Sequence, residues 1–484
     1  MFESPQSKLI RQIQRRAFLS QIGVGLGSIA ASTLLNGELA KGATAAPVGY
    51  HGLVGLPRIA ARAKRVIFLC MAGGPSHLET FDYKPKLEEL HGQPMPESYT
   101  AGQPVAQLQG QQLVAHRPMF KFARRGQSGQ WMSDLLPWHH KLADDICVVR
   151  SMVTEQINHD PAHTFLNCGT AISGRPSMGS WVNYGLGSEN EDLPGFVVLT
   201  SIGGREPDQP IASRQWSSGF LPSRFQGVEF NSSGDPVHYV RNPPGVPPHL
   251  QRASVDAIHQ LDRHRNALLA DPETETRIAA YETAYRMQTS VPDLMDVSAE
   301  PAHVLKLYGA TPGDGSFASN CLLARRLAER GVRFIHLYHR GWDHHGELER
   351  DIQRCAQHTD QASYALITDL KQRGMLDDTL VIWGGEFGRT PMVQHGGGGP
   401  GRDHHIKGFS LWMAGGGVKS GFGYGATDEL GYHAAENIVH VRDLHATMLH
   451  LLGIDHHSLT FRYQGLHVKL TGVEEARVVD EIMS

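Results

Sequence analysis

The chain has 484 residues, 40% of them hydrophobic and 19% charged, which allows one large α/β domain with insertions or two or three smaller domains. Its formal net charge of -4 argues against a general affinity for nucleic acid or for anionic membranes. The five cysteines, at 70, 147, 168, 321 and 355, are odd in number and lack a CxxC, which argues against a disulfide framework and against a cysteine-based zinc site. Histidine is the unusual count. There are 28, several in pairs such as His344-His345 and His404-His405, and neutral imidazole is the commonest protein metal ligand.

The first 45 residues read as a targeting segment. A basic region ends in Arg15-Arg16-Ala17-Phe18-Leu19, a weakly apolar stretch from Ile22 to Leu35 follows, and Ala43-Thr44-Ala45 supplies a cleavage site. The arginine pair followed by x-Phe-Leu resembles a twin-arginine export signal, which implies recognition by the twin-arginine export machinery and a periplasmic or otherwise exported protein. The apolar stretch is too short and too rich in glycine to be a stable membrane span. Residues 46–484 then form a single domain.

Arg65 to Met71 is the first expected strand, and Gly73-Gly74-Pro75 ends it. Ser76, His77, Glu79 and Asp82 follow at its carboxyl end, where ligands of open α/β sheets gather. Residues 92–129 lack periodicity and read as a surface excursion. Ser133 to Asp145 reads as a helix and Ile146 to Arg150 as a second strand. In Asn158-His159-Asp160-Pro161-Ala162-His163, the proline suits a first helical turn, and Gly169 suits the helix end. Phe196 to Thr200 is a third strand. The proline-rich residues 203–250 read as a loop-rich insertion or lid, and Arg252 to Gln288 as helical.

Ser316 to Arg330 is another expected helix, and Val332 to Tyr338 a strand that delivers Gly341-Trp342-Asp343-His344-His345. A long amphipathic helix from Glu347 to Gly374 leads to Leu380–Trp383, a short apolar run that suits a strand buried on both faces. Glu386 stands where the chain leaves that strand. A flexible glycine loop, Gly396 to Gly399, ends in Asp403, His404 and His405. Phe409 to Met413 is a further strand, and Val441 to Leu452 a closing helix.

Strands alternating with helices imply a mostly parallel sheet covered on both faces. Parallel strands place their carboxyl ends on one edge, so three groups of residues can meet there: Ser76/His77/Asp82, Asp343/His344/His345, and Glu386 with Asp403/His404/His405. Mixed carboxylate and imidazole ligands suit zinc, manganese or iron. His336 and His339 alternate with apolar positions and read as packing or surface residues. His440 and His445 read as capping or buried hydrogen-bonded residues, and Trp342 and Trp383 as core. Arg389 suits either an anion or a pairing with Glu386.

The motifs GGPSHLETFDYKP, NHDPAHTFLNCGTAISGRPSMGSW, GWDHHGEL, WGGEFGRTP, GRDHHIKGFSLWMAGGGVKSG and VRDLHATMLHLLGID, taken in order, resemble the bacterial domain of unknown function family 1501. That family is grouped with the alkaline phosphatase and sulfatase superfamily. The resemblance implies a doubly wound α/β/α sandwich, alkaline-phosphatase-like, with a metal site at the carboxyl edge of the sheet. Asp343 with His345 looks similar to one ligand motif of that superfamily. Glu386, Phe387 and Gly388 stand where a second motif has Asp-His-Gly, and His404 matches a later histidine. The formylglycine motif C-x-P-x-R is absent: His159 stands at the cysteine position and His163 at the arginine position. Thr164 and Ser76 are alternative nucleophiles without an evident base, whereas a metal-bound hydroxide needs none.

The expected activity is therefore hydrolysis of a phosphate or sulfate ester, on a small molecule or carbohydrate, by metal-activated water. Asp343, His345, Glu386 and His404 would hold one or two divalent transition-metal ions, zinc or manganese. His77 and Asp82 would be secondary ligands, and His159 and His163 the catalytic pair. The alternative is a non-catalytic metal-binding or carbohydrate-interacting protein that retains the fold.

Overall fold

The computed structural model describes residues 52–53, 55–56, 59–201, 211–236, 246–269 and 272–484. Arg15, Arg16 and the rest of the expected export segment lie outside the described residues, as do Pro207, Pro210, Pro243 and Pro244 of the proline-rich stretch. Two compact units divide the chain: Tyr50–His238 with Ser290–Ser484, and a smaller one that includes Tyr239–Thr289.

The larger unit is built on nine strands: β1 Arg65–Met71, β2 Cys147–Val153, β3 Phe196–Thr200, β4 Val228–Phe230, β5 Phe334–His339, β6 Thr379–Gly384, β7 Phe409–Ala414, β8 Phe422–Tyr424 and β9 Val439–His440. Their order across the sheet is β8-β2-β7-β6-β1-β5-β3-β4, and β9 also pairs with β2. β1 is central and parallel to both neighbours, with Val66 opposite Phe334 on one side and Leu380 on the other. Only β7 runs against the rest, antiparallel to β6 and to β2. The sheet is therefore mixed, though mostly parallel as expected. Apolar periodicity carries no strand direction, so the reversal at Phe409 has no signature in the sequence.

Helices cover both faces. In the larger unit they include α1 His159–Cys168, α2 Met178–Leu186, α5 Phe317–Glu329, α6 Leu348–Gln372 and α7 Val441–Leu451, while α3 Pro248–Leu269 and α4 Pro272–Met295 lie between α2 and α5 in the chain. On one face Val66, Phe68 and Cys70 of β1 share a buried cluster with Phe165 of α1, Trp181 of α2 and Met448 of α7. Alternation along a strand sends the next residues to the opposite face. There His339 of β5 meets Phe317 of α5 and His358 of α6. Each large apolar side chain buried this way contributes on the order of 1.5–3 kcal/mol.

One sequence expectation fails for an identifiable reason, and a second gains a strand. Ser133 to Asp145 is not an α-helix. Gln130–Ser133 pairs with Phe122–Arg125 as an antiparallel ribbon, and only His139–Leu142 turn as a 3-10 helix. Pro137 has no N–H and disfavours helical backbone before it; beyond it, the N–H groups of Trp138 and His139 donate to the Asp360 carboxylate of α6, at 2.8 and 2.9 Å. Within 203–250 the described part is not all loop, because Val228–Phe230 extends the sheet in parallel beside β3. The smaller unit contains α3 and much of α4, where Glu282 accepts from His259 at 3.0 Å and Arg252 pairs with Asp256 at 2.8 Å.

Candidate metal centre

All the elements that supply ligand-type residues leave the sheet from one edge. β5 ends at His339, and the chain turns through Trp342 to Asp343 and His345; β6 ends at Gly384 and delivers Glu386; β2 ends at Val153 and leads to α1, which begins at His159. His159 and His163 are four residues apart and so share one face of α1. His404 is carried by a short antiparallel pairing of His404–His405 with Gly388–Arg389.

The glycine run is not a flexible loop. Gln394–Gly396 and Gly399–Gly401 form a hairpin pressed against the ligand-bearing turn, where a Cβ on Gly401 would lie 2.1 Å from the His345 carbonyl carbon. Only glycine allows backbone to approach backbone this closely.

Around Asp343 three imidazoles converge. Oδ1 lies 2.9 Å from His345 Nε2 and 3.3 Å from His404 Nε2, while Oδ2 lies 3.2 Å from His159 Nε2. The two Nε2 atoms of His345 and His404 are 2.9 Å apart. Their other nitrogens are committed: His404 Nδ1–H donates to the Ile157 carbonyl at 2.7 Å, and His345 Nδ1–H to Gln394 Oε1 at 2.6 Å. In the neutral form of each ring those Nδ1–H donations leave the Nε2 lone pair aimed at the other ring and at the carboxylate. Burial pushes the His404 imidazole down to about 4, against the pull of Asp343, so the ring is neutral at neutral pH. Burial alone would raise the Asp343 carboxyl, but the Arg389 guanidinium beside it holds it far below the usual carboxylate range.

His159 also reaches a second group through its other nitrogen. Nδ1–H donates to Glu386 Oε1 at 2.6 Å, and His163 Nε2 lies 3.3 Å from the same oxygen. Glu386 is wholly buried and accepts the Gly73 N–H as well, at 3.0 Å. Burial would raise its carboxyl, yet His163 and the His159 hydrogen bond hold it at about 2. For His159, burial is outweighed by the bonds to Asp343 and Glu386, and the imidazole is raised. Phe387, which carries no donor, packs its ring 4.9 Å from His159 and 4.6 Å from His404 and walls the group on one side.

The donor set fits a divalent transition metal. Around a four-coordinate ion with bonds of about 2.0–2.2 Å, ligand atoms stand roughly 3.3 Å apart. From Asp343 to the three imidazole Nε2 atoms, and between those of His345 and His404, the separations are 2.9–3.3 Å, and the ligand atoms of all four residues lie within 4.8 Å of one another. Lone pairs this close repel unless a metal cation or a proton lies between them. Asp343 and His345 keep about a fifth of their side-chain surface open to solvent, so the group is reachable.

The other expected site residues lie elsewhere. His77 Nε2–H donates to the Gly431 carbonyl, 2.9 Å away, and Asp82 pairs with Lys84 at 3.0 Å and accepts from Thr427; neither joins the Asp343 or the Glu386 group. His163 has no solvent exposure and joins the Glu386 group, not the Asp343 group. Ser76 donates to the Glu79 carboxylate, which Arg402 holds in a buried ion pair, and Thr164 to the Asp160 carbonyl at 2.9 Å, so neither hydroxyl is bonded to a residue of the Asp343 or Glu386 groups. Arg389 pairs with Asp343 at 2.7 Å rather than with Glu386. Asp403 accepts from backbone, taking the N–H groups of Gln107 at 2.7 Å and Leu108 at 3.0 Å. His405 turns inward to the Tyr432 carbonyl. Gln107 and Gln394, which hold His345, carry no charge and sit in no recognisable motif, so nothing in the sequence marks them.

A mixed, mostly parallel sheet with helices on both faces and a carboxylate–imidazole group at its carboxyl edge defines a doubly wound α/β protein with a candidate metal centre. Residues 63–483 match the family described as Protein of unknown function (DUF1501), and the chain belongs to that family. No curated protein matches it. Among solved structures it is similar to a sulfatase from Pseudoalteromonas sp., at 14% identity over 89% of this chain and 72% of that one, with a TM-score of 0.33. It is also similar to a protein in the alkaline phosphatase superfamily from Vibrio parahaemolyticus, at 11% identity over 83% of this chain and 69% of that one, TM-score 0.36. A phosphonate monoester hydrolase from Silicibacter pomeroyi matches at 12% identity over 72% of this chain and 71% of that one, TM-score 0.33.

Proposed function

We propose that this protein is an exported metal-dependent hydrolase of phosphate or sulfate esters, on small-molecule or carbohydrate substrates. The observation that carries the reading is the convergence of the His345 and His404 Nε2 lone pairs, 2.9 Å apart, on the Asp343 carboxylate. His159, Asp343, His345 and His404 would hold a zinc or manganese ion; when bound, such an ion polarises an ester oxygen and lowers the pKa of water to about 7. Glu386 orients His159 by taking its Nδ1 proton, as outer carboxylates do for metal-ligating histidines. His163 supports Glu386 from the interior, and a second ion would take Glu386, His163 and His159 Nδ1 only in place of the proton between His159 and Glu386. Arg389 offsets part of the negative charge on Asp343 and keeps that carboxylate ionised. The arginine pair near the start of the chain supports export through the twin-arginine machinery, and among the described residues no helix is long and apolar enough to cross a membrane.

The test is elemental analysis of purified protein beside Asp343→Ala and Glu386→Ala, followed by turnover on a panel of phosphate and sulfate esters. Wild type should hold about one or two equivalents of transition metal, Asp343→Ala should hold almost none, and turnover should fall with the metal. A metal-loaded protein inert across the panel would sink the hydrolase and leave a metal-binding protein that retains the fold.

A further inference from the structure

The excursion between Gly92 and Gly129 contributes one side chain to the metal group. Gln107 is exposed, yet its backbone N–H is fixed by Asp403 Oδ2 at 2.7 Å, and the other oxygen of Asp403 takes the His404 N–H at 2.8 Å. The residue is therefore tethered to the ligand-bearing strand. Its amide is oriented too. Gln107 Oε1 accepts from Gln394 Nε2 at 2.8 Å, and Gln394 Oε1 accepts His345 Nδ1–H at 2.6 Å. The Gln107 NH2 group is left facing His345 Nε2 at 3.3 Å, which closes a directed ring of three donors.

That ring puts an N–H donor beside the point on which the lone pairs converge. A donor there does nothing for a cation, since its hydrogen carries positive charge, but it complements an oxygen bound next to one. We infer that Gln107 is a substrate-contacting residue, whose amide donates to an anionic oxygen of the ester held at this centre, with Gln394 as the positioning residue that aims it. The inference rests on the hydrolase reading of the same site. Donors fixed in advance toward developing negative charge lose nothing to reorganisation during reaction, which is why such groups matter to rate as well as affinity. A glutamine suits the task because it adds no charge that would compete with the histidines for the ion.

The experiment uses full-length zinc-loaded protein and inorganic phosphate as the probe, measured by calorimetry, with zinc content and thermal midpoint recorded for each variant. Gln107→Ala should keep its zinc and its midpoint while phosphate affinity falls about tenfold, the loss expected for one hydrogen bond to a charged oxygen. Gln107→Glu should bind phosphate more weakly still. Gln394→Ala, which also frees His345 Nδ1–H, should weaken zinc binding as well as phosphate binding. Zinc-loaded Gln107→Ala with wild-type phosphate affinity, or a zinc-loaded wild type that does not bind phosphate, overturns the inference and leaves the metal centre standing. A wild type that takes up no zinc overturns the metal centre and the inference together.

Discussion

His159 uses both ring nitrogens, one toward Asp343 and one toward Glu386, and so belongs to both groups of ligand-type residues. His404 serves only the Asp343 group, and His77 serves neither. The three substitutions should therefore separate. In a metal-buffer titration, His159→Ala and His404→Ala should each lose at least about 100-fold in zinc affinity, while His77→Ala stays near wild type. A His77→Ala variant as weak as His404→Ala would mean that the ligand set has been drawn wrongly. Acids and imidazoles at strand ends were legible in the sequence because their chemistry is unusual for a turn, and His404 stood out from His405 only through the resemblance. The partners were not legible. Which nitrogen each ring presents is decided by the Ile157 carbonyl and by Gln394, groups whose identity carries no signal until the chain is folded.

At the scale of elements, β1, β3 and β6 could be read closely from apolar runs and the glycines that end them, as could α1 and α5 from their flanking residues. The excursion at 92–129 could not, because it has no periodicity and is held by polar contacts to a distant segment. Asp403 is the main anchor: its carboxylate takes three backbone N–H groups, from Gln107, Leu108 and His404. Removing it in Asp403→Ala leaves the buried Leu108 and His404 donors without partners, at about 1–3 kcal/mol each. The stability lost should be about 2–4 kcal/mol by urea denaturation, and limited proteolysis should now cut between residues 103 and 116. An unchanged proteolytic pattern with stability close to wild type would show that the excursion is held by its apolar contacts instead, among them Leu108 with Met392.

Across the whole molecule, the abundance of histidine sets how the fold responds to acid. His336 lies between Phe68 and Tyr338, with ring centroids 4.9 and 4.1 Å away, and burial pushes it down to about 3. Burial likewise lowers His339 and His116 to about 3, and His445 to about 4. Each folded pKa lies below the unfolded value of about 6.5, so the fold favours the neutral ring. Its stabilising contribution is complete above pH ~6.5 and is lost as pH falls toward the folded value, because only the unfolded chain takes up the proton. Between pH ~6.5 and ~5 each ring forfeits roughly 1–2 kcal/mol, and four together are comparable with the whole stability of a typical domain. His159 is raised and works in the opposite direction, but His404 and His405 are lowered as well, so it is outnumbered. Glu386, held at about 2, adds its own loss only below the ordinary carboxylate range, so it does not contribute at pH 5. Chelated, metal-free protein should therefore show a steady denaturation midpoint from pH 8 to 7 and a steep fall from pH 6.5 to 5. A midpoint that stays flat to pH 5 would mean that these rings are already protonated in the fold or reach water when it is folded.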